Sequence, residues 1–267
     1  MNSPISRTLV SFLFTSLAVL GNCPAEAGLV AGDVAILAIH ADDTGGAQQG
    51  FAWVPLVDLP GGQQVHFTDN AWVSGHLLSD EGVATFTAPS SGVLAGTVLM
   101  YLQGSTPAIG SYTLTGKFDL STDGDQVFAF IGSTMSPTFL FAAQTNSNEF
   151  QQSWRQSVES ELPTGLEVGL NAVAAGRSAG STDEWDNARY KGVLTSGTKL
   201  ELLAAIANNA NWEGSNSPMS PLSVAPAYTV HSVSAVPESN GLFVGAVVSL
   251  VALAWGCIVA RRHRQPA

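Results

Sequence analysis

Cysteine is nearly absent from this chain. There are two in 267 residues, Cys23 and Cys257, and both stand in the terminal segments. The stretch from Gly28 to Val236 therefore has no disulfide to close, no thiolate nucleophile and no Cys/His set spaced for zinc, so its stability must come from packing. Charge is scarce too, at 12% Asp, Glu, Lys and Arg, where about 25% is ordinary. Positive charge is scarcest. Between Gly28 and Val236 six basic residues (Lys117, Arg155, Arg177, Arg189, Lys191 and Lys199) face nineteen acids, a net of −13. Phosphate binding needs clustered Lys and Arg, which excludes nucleic acid as a partner. No phosphate loop or dinucleotide fingerprint occurs, and no carboxylate pair stands out at the separation a glycosidase needs. With none of these patterns arguing for catalysis, the expectation is a non-enzymatic protein.

What remains reads as strands. Asp33–Ala41 (DVAILAIHA) and Phe51–Leu59 (FAWVPLVDL) are apolar runs of strand length, rich in β-branched and aromatic residues. After the turn signal Pro60-Gly61-Gly62, the segment Val65–Trp72 sets Val65, Phe67 and Asp69 against His66 and Thr68. Further strands are expected at 83–87, 97–102, 126–131, 138–143 and 228–233, with Gly, Pro, Ser or Asp between most of them. Such spacing favours a β-sandwich. Pro55 removes a ladder donor, which predicts an edge strand or a bulge there. One helix is expected: Thr198-Lys199-Leu200-Glu201 has the form of a capping box, with Leu200, Leu203, Ala204 and Ala207 on one face, placed to plug an end of the sandwich. Residues 208–227 read as a loop leading to the last strand. The domain of roughly 200 residues is long enough for a single sizeable core.

Four polar clusters are candidates for chemistry. His40-Ala41-Asp42-Asp43 joins a histidine to two carboxylates at a strand end, although neighbouring residues on a strand point to opposite faces and more often cap a turn. Thr122-Asp123-Gly124-Asp125 resembles part of a calcium loop, making Asp123 and Asp125 the calcium candidates, but no bidentate Glu follows in register and a tight turn is the simpler reading. Asp183-Glu184-Trp185-Asp186 sets a Trp among acids, the combination that stacks on a sugar ring and bonds its hydroxyls; a solvated loop with a half-buried Trp is the plainer reading. His66, Thr68 and Asp69 carry no activated-nucleophile signature. A carbohydrate-binding module, with or without calcium as a helper, is thus the alternative to a structural protein, and a hydrolase without a recognisable motif is the second alternative. No cofactor is expected otherwise.

The two ends concern destination. Leu9–Leu20 is an apolar run behind Arg7, and Ala25-Glu26-Ala27 is a small-x-small cleavage site; residues 1–27 read as a signal peptide cut after Ala27. Lipidation at Cys23 conflicts with Asn22 before it. Gly241–Ala260 is twenty residues without a charge, long enough as a helix to span the roughly 30 Å hydrocarbon core. Arg261, Arg262 and Arg264 follow, marking the cytoplasmic side in the tail 261–267. Immediately before the span, Val236-Pro237-Glu238 lies in the linker 232–240, behind an ectodomain of residues 28–231. This order, a Val-Pro-Glu motif, a single span and an Arg-rich tail, resembles the PEP-CTERM sorting signal of Gram-negative bacteria, with Ser239 where the motif has its second proline. The resemblance covers 236–264. It implies an exosortase as partner, an inner-membrane precursor, and release to the cell surface or the exopolysaccharide matrix. The ordinary alternative is a plain membrane anchor.

The body resembles a family as well. "GDVAILAIHADD", "LVDLPGGQQVHFTDNAW", "GVLAGTVLMYL" and "STDGDQVFAFIG" are similar to the bodies of secreted PEP-CTERM proteins of unassigned function and, more distantly, to lamin-tail-like immunoglobulin sandwiches. This implies an all-β fold and brings no catalytic residue with it.

Overall fold

The apolar run at 33–41 folds as strand β1 (Val34–His40), buried along its whole length, as is its neighbour β2 (Gly50–Pro55). In chain order there follow β3 (Gln64–Thr68), β4 (Trp72–Val73), β5 (His76–Leu77), β6 (Val83–Thr87), β7 (Leu99–Leu102), β8 (Ser111–Thr115), β9 (Gln126–Ser133), β10 (Ser136–Gln144), β11 (Ala172–Ala174), β12 (Asn187–Tyr190), β13 (Ser196–Thr198), helix α1 (Lys199–Ile206), β14 (Trp212–Ser215) and β15 (Thr229–His231). This computed structural model describes residues 28–41, 48–150, 160–176, 184–217 and 224–232. The leader with Ala25 and Ala27, the motif residues Val236, Pro237 and Glu238, the apolar run 241–260 and Arg261, Arg262 and Arg264 lie outside the described residues, as do Asp42, Asp43 and Asp183. No helix among the described residues is long and apolar enough to cross a membrane.

Two sheets make the domain: a five-stranded one in the order β14-β12-β1-β2-β7, and a six-stranded one in the order β11-β10-β9-β3-β6-β8. Their inner faces meet in a common core. Aromatic rings cross the gap: Phe51 lies 4.6 Å from Phe67, and Trp53 lies 4.9 Å from Phe67 and 5.1 Å from Phe86, centroid to centroid. The Trp53 indole N–H, which would otherwise be stranded among hydrocarbon, donates to the Tyr112 hydroxyl at 2.7 Å, the partner a buried Trp requires. The chain is an all-β sandwich with one α-helix among its described residues.

The six-stranded sheet is also buried on its outer side. Phe128, Phe130 and Phe139 form a second cluster there, covered by Trp72 and Leu77 of the β4–β5 hairpin and by Leu162 and Leu166. A register shift between Phe139 and Phe141 lets β10 serve both cores: Phe139 joins the outer cluster, while Leu140 and Phe141 both join the inner one. A bulge turns two successive side chains to one face in this way.

Several expectations need correction. Pro55 is neither on an edge strand nor at a bulge. It is the last residue of β2, beyond the β7 pairing that stops at Trp53↔Leu99, so no ladder bond asks for its missing N–H. The bulge falls instead in β1, between Ile36 and Ala38, in its pairing with β2. The segment expected to run to Leu59 ends at Pro55, and Val65–Trp72 breaks after Thr68. Part of the loop expected at 208–227 is β14, paired with β12 from Tyr190↔Trp212 to Asn187↔Ser215. The helix and its capping box are as read, but its buried face is Leu202, Leu203 and Ile206, whereas Leu200 is 66% exposed. The run LLAAIA offers more than one apolar stripe. The tie of Lys199 to Asp33 at the start of β1, and the seating of Leu203 against Gly32, select which one turns inward.

Candidate functional site

The described parts of three of the clusters, His40–Ala41, Thr122–Asp125 and Glu184–Asp186, come from far apart in the sequence to one end of the sandwich. β1 and β12 run antiparallel with His40 opposite Asn187, so Ala41 lies beside Asp186; the Ala41 N–H donates to the Asp186 carbonyl at 3.0 Å. The Trp185 N–H donates to the Thr145 carbonyl, and the Thr145 N–H to the Asp125 carbonyl. Asp69, which follows β3, and Glu81, which precedes β6, come to the same end because β3 and β6 pair antiparallel from Thr68↔Val83 to Gln64↔Thr87.

The carboxylates here act on backbone. Asp69 is fully buried; its two oxygens accept from the Gly82 N–H at 3.0 Å and the Asp119 N–H at 2.6 Å, stapling two loops together. Asp125, also fully buried, accepts from the Ser121 N–H at 2.8 Å and the Gln126 N–H at 2.7 Å. Its turn holds Gly124 at φ +83, where a Cβ would stand 2.5 Å from the Asn146 Cα. The Thr122–Asp125 stretch is therefore a hydrogen-bonded turn, with both oxygens of Asp125 committed to main-chain donors. Asp123 lies on its exposed side, its N–H bonded to the Ser121 hydroxyl. No group of three His, Cys, Asp or Glu side chains placed to hold a metal ion occurs among the described residues.

Crowding of acids in a desolvated corner raises their proton affinity. Burial, partly offset by its backbone hydrogen bonds, pushes Asp69 up to about 6. Glu81 is pushed up to about 8 by burial and by the charges of Asp69, Asp80 and Asp119, and one of its oxygens is buried without a hydrogen-bond partner. Burial, then the neighbouring Glu81, holds Asp125 well above the usual carboxylate range. Glu81 and Asp119 were not singled out in the sequence. The available signal was position: both stand beside the strand ends that carry Asp69 and Asp125.

The other candidates do not converge. His40 is buried, with no hydrogen-bond partner on either ring nitrogen. His66 sits on the outer face of the other sheet, its ring tilted against Phe130 at 5.1 Å and bonded through Nδ1 to the Thr85 hydroxyl at 2.8 Å; no hydrogen bond joins it to Asp69. Trp185 is half-buried and lies against Gly214 of β14, where a Cβ would stand 2.3 Å from the Trp185 Cγ, so one face of the indole is already covered by backbone. Glu184 takes a 3.5 Å contact from Asn216, and the Asp186 N–H donates to the Asn216 side chain.

Comparison of the chain with protein families, with curated proteins and with solved structures finds no match.

Function must accordingly be argued from the residues. A sequence pattern outside the four clusters, Gly176-Arg177-Ser178-Ala179-Gly180, fits the Gly-x-Ser-x-Gly spacing of hydrolase elbows. That motif draws its chemistry from a strand–turn–helix in a parallel sheet. Here it follows the three-residue edge strand β11 of a sandwich, and of its five residues only Gly176 is described, bonded through its N–H to the Ser147 carbonyl.

Proposed function

We propose that the chain is an exported surface or extracellular-matrix protein, cut at a C-terminal sorting motif by an exosortase and then serving a structural or adhesive role without catalysis. The observation that carries this reading is the order of features in the sequence: Val236-Pro237-Glu238, the uncharged run 241–260, then Arg261, Arg262 and Arg264. A span of that length parks the chain in the inner membrane, the arginines hold the tail on the cytoplasmic side, and the motif lies where a membrane-embedded transpeptidase reaches it. The fold offers support. Gly28 packs beside Ile131 near the β9–β10 turn, and Ser232 follows β15 beside Leu56 and Asp58. Both ends of the described domain thus leave from the end opposite the acidic loops, which suits a domain tethered at one end and acidic at the other. We read the sandwich further as immunoglobulin-like, of the lamin-tail kind, on the resemblance of the stretches quoted above.

The test is the C-terminal mass of the protein recovered from the cell surface or matrix. A mature chain ending near Pro237 or Glu238 is expected; a chain still carrying residues 241–267 at the surface refutes processing. Deleting the sequence from Val236 onward should send a folded domain into the medium.

A further inference from the structure

On one flank the edges of both sheets lie together. β7 ends the five-stranded sheet and β8 the six-stranded one, with the Tyr101 and Tyr112 rings 5.2 Å apart between them. No charged residue occurs between Glu81 and Lys117, a span that holds β6, β7, β8 and every loop joining them. It is also greasy: Leu94, Met100 and Leu114 are 73%, 45% and 49% exposed. A cleft of about 230 Å³ opens there, lined by Leu99, Leu102, Pro107 and Ile109 among others.

β8 pairs with β6 in unbroken register from Val83↔Thr115 to Thr87↔Ser111. Among the described residues its other edge has no backbone partner. Proteins ordinarily blunt such an edge with Lys, Pro or a bulge; β8, with the sequence SYTLT, has none of them. Tyr112 turns inward toward Trp53, so Leu114, two residues on, shares that face. Leu114 stays exposed because the five-stranded sheet stops one strand short of it.

We propose that this flank is a self-association surface, on which β8 of one copy pairs antiparallel with β8 of a second copy about a two-fold axis at Thr113. The pairing joins two six-stranded sheets into one and covers Leu114. Charge selects a second copy as the occupant. The domain carries −13 between Gly28 and Val236, so most approaches of one copy to another are repulsive; this neutral flank is where two copies meet without that penalty. A charged peptide strand would find no counter-charge on it. About the two-fold, Thr113 faces itself, Tyr112 faces Leu114 and Ser111 faces Thr115, an isologous match with no like charges opposed.

The inference goes beyond the sorting reading and does not depend on it. The test uses the full chain in mild detergent, with its mass in solution measured by sedimentation. A dimer is expected. Thr113→Lys, which opposes two ammonium groups at the axis, should weaken association by about tenfold or more while leaving the thermal midpoint nearly unchanged at a dilution where both proteins are monomeric. In a chain with Cys23 and Cys257 replaced by serine, Thr113→Cys should give a covalent dimer on mild oxidation, because directly opposed residues fall within disulfide reach. Glu213→Cys, on the far edge strand β14, should not. A monomeric wild type overturns the proposal, and so does a dimer that ignores Thr113→Lys or crosslinks through β14. A monomer still trimmed near Pro237 and delivered to the surface would sink this inference alone.

Discussion

The acidic end and the uncharged flank show two opposite treatments of polar groups within one sandwich. At the acidic end, aspartates are carried into the interior and held by main-chain donors, Asp69 by Gly82 and Asp119 of other loops and Asp125 by Ser121 and Gln126 of its own turn. On the flank no side chain carries charge from residue 82 to 116, and the backbone edge of β8 is left open. The first arrangement fixes loop geometry at the expense of tolerance, since an unmet buried donor is destabilising. The second leaves a surface on which a substitution changes what can approach more than whether the domain folds.

The sharpest way to break this contrast is Asp69→Ala. It strands the buried Gly82 N–H and the part-buried Asp119 N–H at once, and a loss of about 2–4 kcal/mol in urea unfolding is expected. Asp69→Asn keeps one acceptor and should lose roughly half of that. Thr113→Lys on the flank should stay within about 0.5 kcal/mol of wild type. A result in which Asp69→Ala is as mild as Thr113→Lys would show that the buried staples do not hold the loops.

The pH dependence sharpens the contrast further, and its sign is set by raised carboxyl groups. Glu81 is pushed up to about 8 and Asp69 up to about 6, with Asp125 raised as well. The folded state therefore binds protons more tightly than the unfolded chain between about pH 4 and pH 8, and stability falls as pH rises through that window. The domain should be more stable at pH 5.5 than at pH 8, with Glu81 contributing about 1–2 kcal/mol of the difference after solvent screening. Glu81→Gln should flatten the upper half of the profile. A stability that rises steadily from pH 5.5 to 8 would contradict the crowding argument.

How much of this was legible in the sequence depends on whether a segment's state is set by its own composition. β1, β2, β6, β9 and β10 are apolar or alternating runs and announce themselves. β8, β11, β12 and β14, with sequences SYTLT, AVA, NARY and WEGS, are short and mixed, and become strands because a partner strand lies beside them. The bulge at Leu140 leaves no compositional trace. The capping box was readable because it is local, whereas the buried face of α1 was not, since it depends on where Gly32 and Asp33 stand. The acidic clusters were visible one by one. Their convergence was not, because residues near 40, 69, 125 and 185 are brought together only by antiparallel pairing, which places the end of one strand beside the start of the next.

A smaller effect than that of Asp69→Ala belongs to the opposite end, and it carries the opposite sign with pH. The Thr198 hydroxyl accepts from the Glu201 N–H at 3.3 Å, and the Thr198 N–H donates to the Glu201 carboxylate at 2.8 Å. The Thr198 N–H and the Thr198 hydroxyl, which donates to the Glu201 carboxylate at 2.9 Å, lower the proton affinity of Glu201. Its contribution is therefore present above the ordinary glutamate range and is lost as pH falls through the lowered value. Thr198→Ala removes the hydroxyl and keeps the backbone donor, so a loss of about 1 kcal/mol is expected, larger near neutral pH than in acid. Measuring Asp69→Ala and Thr198→Ala across the same pH range separates the two ends. The first variant should lose the lower part of the wild-type slope, near pH 6, and keep the upper part that the burial of Glu81 sets. The second should keep the whole slope, because the groups that set it are buried beside Asp69 and not at the helix.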